Sequence, residues 1–264
     1  DDINQILERS DIIIFCIPAA FLHKSLLSMK AELLKGRIIV SGIKGVVPQY
    51  DAVVAEYFRQ VYGINRMVVV SGPSHAEEVA QERLTYLTVA AEDTAVAAVV
   101  AELLQCRYIK TVVSRDIAGI EYAPVLKNIY AIASGLCNGL GYGDNFQAVL
   151  ISNAVQEMDR FISTLHPAGR DINSSVYLGD LLVTCYSQYS RNRMFGTMIG
   201  KGYSVKFAQF EMKMVAEGYY ATKSIYNMGL ALGLEMPVVE TVYSVLYQNQ
   251  IPATAVRLLA EKLR

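Results

Sequence analysis

Between Glu121 and Asn145 one lysine stands where the surrounding pattern does not require it. Val125, Ile129, Ile132 and Leu136 recur at intervals of three and four, the spacing of a helix buried along one side. Lys127 falls on a different stripe, above Ala131, Ser134 and Gly135, whose small side chains let a ligand or another helix approach closely. An ammonium over such a floor is a candidate acid or base. The plain alternative is a solvated helix lysine.

Four further clusters carry groups that could do chemistry. Ser41-Gly-Ile-Lys-Gly45 sets Lys44 between glycines after an apolar run, as a ligand contact or a solvated turn. Ser71-Gly-Pro-Ser-His-Ala76 reads as a tight Gly-Pro turn. Gly179-Asp-Leu-Leu-Val-Thr184 places Asp180 at the head of an apolar helical run, where an N-cap is the first explanation. Ser190-Arg-Asn-Arg193 supplies hydroxyl, guanidinium and amide together, the set that anion recognition requires, or else a charged surface turn.

The elements that must position these groups divide at about residue 115. Before it, Ile12–Ile17, Arg37–Ser41, Met67–Ser71 and Tyr86–Ala90 are continuous apolar runs separated by helical segments, which predicts an α/β domain with a parallel or mixed sheet covered on both faces. The loops after the first three runs hold Pro18, Gly42 with Lys44, and Gly72-Pro73-Ser74, where ligands of open α/β sheets bind. After it the period is helical, over 146–165, 176–189, 206–232 and 238–246, with Gly141, Gly143, Gly179, Gly196, Gly200 and Gly202 as breaks. Residues 1–115 are expected to form one domain and 116–264 an all-helical second, with Asp116 as the N-cap of the Lys127 helix.

Residues 1–115 contain no Gly-x-Gly-x-x-Gly turn after a strand, the device that holds a dinucleotide pyrophosphate on helix amides. Gly139, Gly141 and Gly143 follow a helix and lack that context. Asp2–Glu8 leads straight into a buried strand, so the dinucleotide domain is expected to be incomplete and its front missing.

Composition narrows the partners. Hydrophobic residues at 53% and charged residues at 19% suit a folded chain with a sizeable core. A formal net charge of -1 offers no footprint for nucleic acid or an anionic membrane, leaving small molecules or other copies of the chain, a homodimer included. Cys16, Cys106, Cys137 and Cys185 form no C-x-x-C pair and read as buried thiols of a reducing cytoplasm; with only His23, His75 and His166 to join them, no metal is expected. No apolar run is long enough to span a bilayer.

The clusters in sequence, Ser41-Gly-x-Lys-Gly, Gly72-Pro-Ser-x-Ala, Leu126-Lys-Asn-x-x-Ala-Ile-Ala, Gly179-Asp-Leu, Ser190-Arg-Asn-Arg and Val215-Ala-Glu-Gly, resemble the bacterial-type NAD(P)-dependent glycerol-3-phosphate dehydrogenases from the first strand to about Gly218. The resemblance implies a Rossmann-like domain followed by an all-α domain of the 6-phosphogluconate dehydrogenase C-terminal-like type. It implies interconversion of dihydroxyacetone phosphate and sn-glycerol 3-phosphate with NAD or NADP, feeding glycerophospholipid synthesis. Lys127 would be the catalytic acid and base, its pKa lowered by burial or by a cation such as Lys44. By the same resemblance Lys44, Gly72, Ser74, Asp180, Thr184, Ser190, Arg191 and Asn192 contact the substrate, with Arg191 and Asn192 on its phosphate. Phe21, Lys44, Ala76, Arg191, Val215 and Glu217 contact the cofactor. The site would lie between the two domains.

Three departures stand out. Ala123-Pro124 replaces a common glycine pair, and the proline demands a nearby helix start or a kink. His75 takes a position often held by phenylalanine and is expected to pack. Without the glycine-rich turn, these 264 residues are expected to bind a dinucleotide poorly and to be nearly inactive. The competing readings are another two-domain hydroxy-acid dehydrogenase, which needs a carboxylate site and not Ser190–Arg193, and a non-catalytic assembly module.

Overall fold

The computed structural model describes residues 3–212 and 216–264. The first part alternates strands and helices: α1 (Ile3–Glu8), β1 (Ile12–Phe15), α2 (Ala19–Ser25), β2 (Ile38–Ser41), α3 (Val54–Tyr62), β3 (Met67–Ser71), α4 (Ala76–Ala80), β4 (Thr85–Ala90), α5 (Thr94–Leu104) and β5 (Ile109–Ser114). The five strands form one sheet in the order β1-β2-β3-β4-β5. It is mixed: β1, β2 and β3 run parallel, β4 is antiparallel to β3, and β5 is parallel to β4.

Alternation along the strands feeds two cores. Phe15, Ile39 and Met67 pack with Leu22 of α2 and Tyr57 and Phe58 of α3. Val40, Val68 and Val89 pack with Ala97, Val100 and Ala101 of α5. The sheet is thus covered on both faces, as its apolar runs require. The fifth strand was not foreseen, because Lys110 and Thr111 interrupt its apolar run and none of its residues is fully buried.

The second part is helical: α6 (Ile117–Gly139), α7 (Asp144–Leu165), α8 (Asp180–Tyr186), α9 (Arg191–Gly200), α10 (Val205–Glu211), α11 (Glu217–Ala231), α12 (Pro237–Tyr247) and α13 (Pro252–Ala260). The single segment expected over 206–232 is two helices, α10 and α11. The α9 helix was not foreseen. Ser190–Arg193 is the start of α9, with the Ser190 hydroxyl accepting from the Arg193 amide as the N-cap.

Asp116 caps α6, accepting from the Gly119 amide at 3.0 Å, and its carboxylate is also gripped by Arg170 and the Tyr177 hydroxyl. From Gly119 to Cys137 every residue of α6 is buried, on all sides rather than one stripe, because the other helices surround it. Pro124 lies inside this helix, well past its first turn. It leaves the Ile120 carbonyl without its helical donor.

The small-residue floor below Lys127 receives a helix. A Cβ on Gly135 would land on the Arg193 carbonyl, and one on Gly196 on the Ile132 carbonyl. Gly139 and Gly200 meet in the same way. Gly196 and Gly200, expected as breaks, lie inside α9 and let its backbone touch that of α6. This close crossing fixes where Arg191 and Asn192, at the head of α9, stand relative to Lys127.

Candidate active site between the sheet and the helical domain

Lys127 is 5% exposed, so the solvated-lysine alternative fails. Its ammonium donates to Asp180 Oδ1 and to Thr184 Oγ1, the latter at 3.0 Å. The Thr184 hydroxyl in turn donates to the Asp180 carbonyl at 2.6 Å, one helical turn back, which leaves its lone pair for the lysine. Asp180 is the first residue of α8, 1% exposed, and it is not the N-cap: Gly179 holds that position. Its carboxylate faces lysines.

The second Asp180 oxygen, Oδ2, lies 3.4 Å from Lys44 Nζ. Lys44, in the loop after β2, also donates to the Gly72 carbonyl at 2.8 Å and sits 3.4 Å from Ser74 Oγ. That loop is held from the helical side by Asn128, whose amide donates to the Lys44 carbonyl at 3.1 Å. Gly72 itself is obligatory: its φ is 136°, and a Cβ would lie 2.6 Å from the Tyr86 carbonyl oxygen. Two sheet loops and two helices therefore converge on the Lys127–Asp180–Lys44 chain.

These charges set the state of Lys127. Burial lowers its pKa most strongly and the nearby Lys44 charge lowers it further, while Asp180 opposes both; the balance is about 8. An ammonium in that range is a stronger acid than a free lysine and a usable base near neutral pH.

Lys44, Ser74, Ala76, Lys127, Asp180, Thr184, Ser190, Arg191, Asn192 and Glu217 all line one cleft of about 480 Å³. Volume alone does not select it, since a cavity of about 740 Å³ lies around Gly36, Arg66 and Asp93, away from this lysine network. Asn192 is pinned by the Gly218 amide, which donates to its Oδ1 at 3.0 Å. Glu217 Oε1 accepts from the Ala19 amide at the start of α2, tying α11 to the loop after β1. Its Oε2 is buried without a partner, and burial raises the carboxyl pKa to about 7 against the pull of the Ala19 amide and of Arg191.

Not every expected residue reaches the cleft. Phe21 is 51% exposed on α2 and is not among the lining residues; Gly72 contributes through its carbonyl to Lys44. Val215 lies outside the described residues. Asn128, Cys16, His75 and Tyr189 line the cleft without having been selected from the sequence. For Asn128 the available signal was its place beside Lys127 inside an apolar helix, where a polar side chain needs a partner. Cys16 and Cys106 are exposed, contrary to the expectation of four buried thiols, whereas Cys137 and Cys185 are buried. Among the described residues no His, Cys, Asp and Glu cluster could hold a metal ion, and no helix is long and apolar enough to cross a membrane.

A mixed sheet whose strand-end loops meet a buried helical lysine across a cleft is the architecture of a two-domain NAD(P)-dependent dehydrogenase. Residues 1–97 match the family model for the NAD-dependent glycerol-3-phosphate dehydrogenase N-terminus, and residues 116–257 match that for its C-terminus. The chain belongs to that family. It is 34% identical over 264 residues to a glycerol-3-phosphate dehydrogenase (NAD(P)+) of Clostridium botulinum strain Eklund 17B, covering 99% of this chain and 80% of the relative. The relative from Syntrophotalea carbinolica is also 34% identical, with 79% of its length covered. A crystal structure of glycerol-3-phosphate dehydrogenase from Coxiella burnetii superposes with a TM-score of 0.93 at 31% identity, over 98% of this chain and 80% of that one.

Proposed function

We propose that this cleft interconverts dihydroxyacetone phosphate and sn-glycerol 3-phosphate, with Lys127 as the proton donor in reduction and acceptor in oxidation. The observation that carries the reading is the Lys127–Asp180–Lys44 chain, which lines the same cleft as Arg191 and Asn192. A lysine ammonium has three protons to donate. Asp180 and Thr184 take two of them, and the third is available to a carbonyl oxygen in the cleft. The two engaged protons fix the direction of the third, so the acid is positioned before substrate arrives.

NAD(P)H, when bound, supplies the hydride that reaches the carbonyl carbon. The residues present fit such a cofactor: Glu217 Oε2 is a buried acceptor lacking a donor, and the loops after β1, β2 and β3 open into the cleft. Lys44, Ala76, Arg191 and Glu217 would hold it. No Gly-x-Gly-x-x-Gly turn occurs among the 264 residues, so the pyrophosphate is assigned to none of them.

As hydride reaches the carbon, negative charge develops on the oxygen and Lys127 neutralises it by proton transfer. Asp180 and Lys44 have opposite effects on that proton: Asp180 retains it, and Lys44 makes it easier to release. Arg191 and Asn192 grip the phosphate, which does not react, so its binding energy orients the ketone toward Lys127. The sheet half, proposed to end at residue 115, supplies Lys44 and Ser74; the helical half supplies the acid and the phosphate clamp.

The test is spectrophotometric oxidation of NADH or NADPH with dihydroxyacetone phosphate, run beside 2-keto acids. Turnover confined to the phosphorylated ketone, and lost in Lys127→Ala, is the expected result. Turnover with keto acids but not with the phosphate ester would overturn the reading.

A further inference from the structure

We propose that Ser134 is a positioning residue, fixing α8 on α6 so that Asp180 and Thr184 meet the Lys127 ammonium, an inference that rests on the reading of Lys127 as acid and base. Ser134 is 1% exposed, and its hydroxyl donates to the Cys185 carbonyl at 2.9 Å. A buried serine inside a helix commonly bonds the carbonyl four residues back in its own helix. This one reaches across to another helix instead.

The carbonyl it reaches is one that α8 cannot satisfy by itself. The last four carbonyls of a helix have no donor within it, and that of Cys185 is among them. The Val183 carbonyl is met by the Ser187 amide at 2.9 Å, and among the described residues Ser134 is the one donor to the carbonyl of Cys185. Leaving such a buried acceptor unpaired is unfavourable, so the bond holds the end of α8 in place.

Lys127 and Ser134 are two helical turns apart on α6, on the face that α8 covers. Asp180 and Thr184 bond the one and Cys185 the other, so α8 is attached at two places. A helix of seven residues has little stability of its own, and such attachments set its direction. The α9 helix is fixed separately, by its glycine crossing with α6, so Ser134 bears on the acid and not on the phosphate clamp. Four titratable groups face Lys127. Lys44 and His75 belong to the sheet loops and do not ride on α8. The Cys185 thiol does, but burial pushes its pKa up to about 12 and it stays neutral. Asp180 is therefore the charge that a loosened α8 would carry away from the lysine.

Ser134→Ala deletes the bond two turns away from Lys127. Burial lowers the Lys127 pKa and Asp180 opposes it, so with Asp180 held less closely that pKa should fall. It is read directly by NMR titration of the lysine ε-methylenes, with Lys127→Arg to assign the signal. The variant should also lose about tenfold in kcat with dihydroxyacetone phosphate, as a displaced catalytic group does, with KM changed by less than about twofold. Gln147→Met is the structural control: Gln147 Nε2 donates from α7 to the Ser134 carbonyl at 2.9 Å, so the change removes a buried hydrogen bond from the same residue and none from α8. It should lower Tm and leave the Lys127 pKa and kcat unmoved. Ser134→Cys keeps a weaker donor and should fall between serine and alanine; it also serves if the alanine variant misfolds. A Lys127 pKa that stays or rises without the hydroxyl, or that shifts equally in Gln147→Met, would overturn the inference and leave the reading of Lys127 standing. Failure of the unsubstituted protein to turn over dihydroxyacetone phosphate would instead overturn the reading beneath it, and the inference with it.

Discussion

Lys127 and Asp180 are 53 residues apart in the chain and joined by a hydrogen-bonded ion pair in which both side chains are buried. Burying either charge alone is costly, and the pair is held because each satisfies the other and both have further partners. Lys127 has Thr184, and Asp180 has Lys44. The arrangement leaves one ammonium proton for the cleft and makes the acidity of Lys127 depend on two identifiable neighbours.

That dependence predicts the pH profile. With the Lys127 pKa near 8, ketone reduction needs the protonated form and kcat/KM should fall as pH rises through about 8. Alcohol oxidation needs the neutral amine and should rise over the same window. Steady-state rates in both directions across this range check it. Parallel profiles in the two directions would count against lysine as the acid and base.

The neighbours should move that limb in opposite directions. Asp180 raises the Lys127 pKa, so Asp180→Asn should shift the limb to lower pH; Lys44 lowers it, so Lys44→Met should shift it to higher pH. Both variants lose activity at their optimum, since each residue also shapes the site. The diagnostic is the sign of the shift, read from kcat/KM profiles normalised to each maximum.

Arg191→Ala should lower kcat as well as raise KM, with a combined loss in kcat/KM of about tenfold to a hundredfold, the scale of a charge-assisted hydrogen bond. If the phosphate clamp orients the ketone, added inorganic phosphite should partly restore turnover of glycolaldehyde by the unsubstituted enzyme and not by the variant. A change in KM alone would reduce Arg191 to simple affinity.

How much of this was legible depended on how local each cause was. The β1 to β4 strands were visible because Ile12–Phe15, Ile38–Ser41, Met67–Ser71 and Thr85–Ala90 are apolar runs that leave little choice. The direction of β4 was not, since strand direction is a property of pairing rather than composition. Gly196 and Gly200 looked like helix breaks because the same residue that weakens a lone helix permits two helices to touch. The individual groups of the site were legible as types in order. The burial of Lys127 was not, because it is created by Asp180 and Thr184 from a helix that the chain reaches only later.

The glycine crossing predicts a structural variant with a catalytic effect. In Gly196→Ala the new methyl has no room beside the Ile132 carbonyl, so α9 must move away from α6. Overpacking of this kind costs about 1–3 kcal/mol and should lower Tm measurably. Arg191 and Asn192 move with α9, so KM for the phosphorylated substrate should rise too. Gly202→Ala is the control: nothing lies near its Cβ position, and its φ of 98° makes it strained without touching α6. It should lower Tm with little effect on KM.

Glu121 gives a prediction about the joint between the halves. It lies on α6, 4% exposed, and accepts from the Ala55 amide of α3 at 2.9 Å. Burial raises its pKa from 4.5 to about 8, with the Glu56 charge adding to the rise and the amides of Ala55 and Val54 opposing it. Between those two values the folded protein binds a proton that the unfolded chain has released, so this group's contribution to stability declines as pH rises from about 4.5 to about 8. Glu121→Gln keeps an oxygen for the Ala55 amide and has nothing to titrate. Its Tm relative to the unsubstituted protein should therefore climb with pH across that window and level off above it, as read by calorimetry at a series of pH values. A difference that stays constant from acid to alkaline pH would mean that Glu121 is not protonated in the folded state, and that the joint holds a carboxylate.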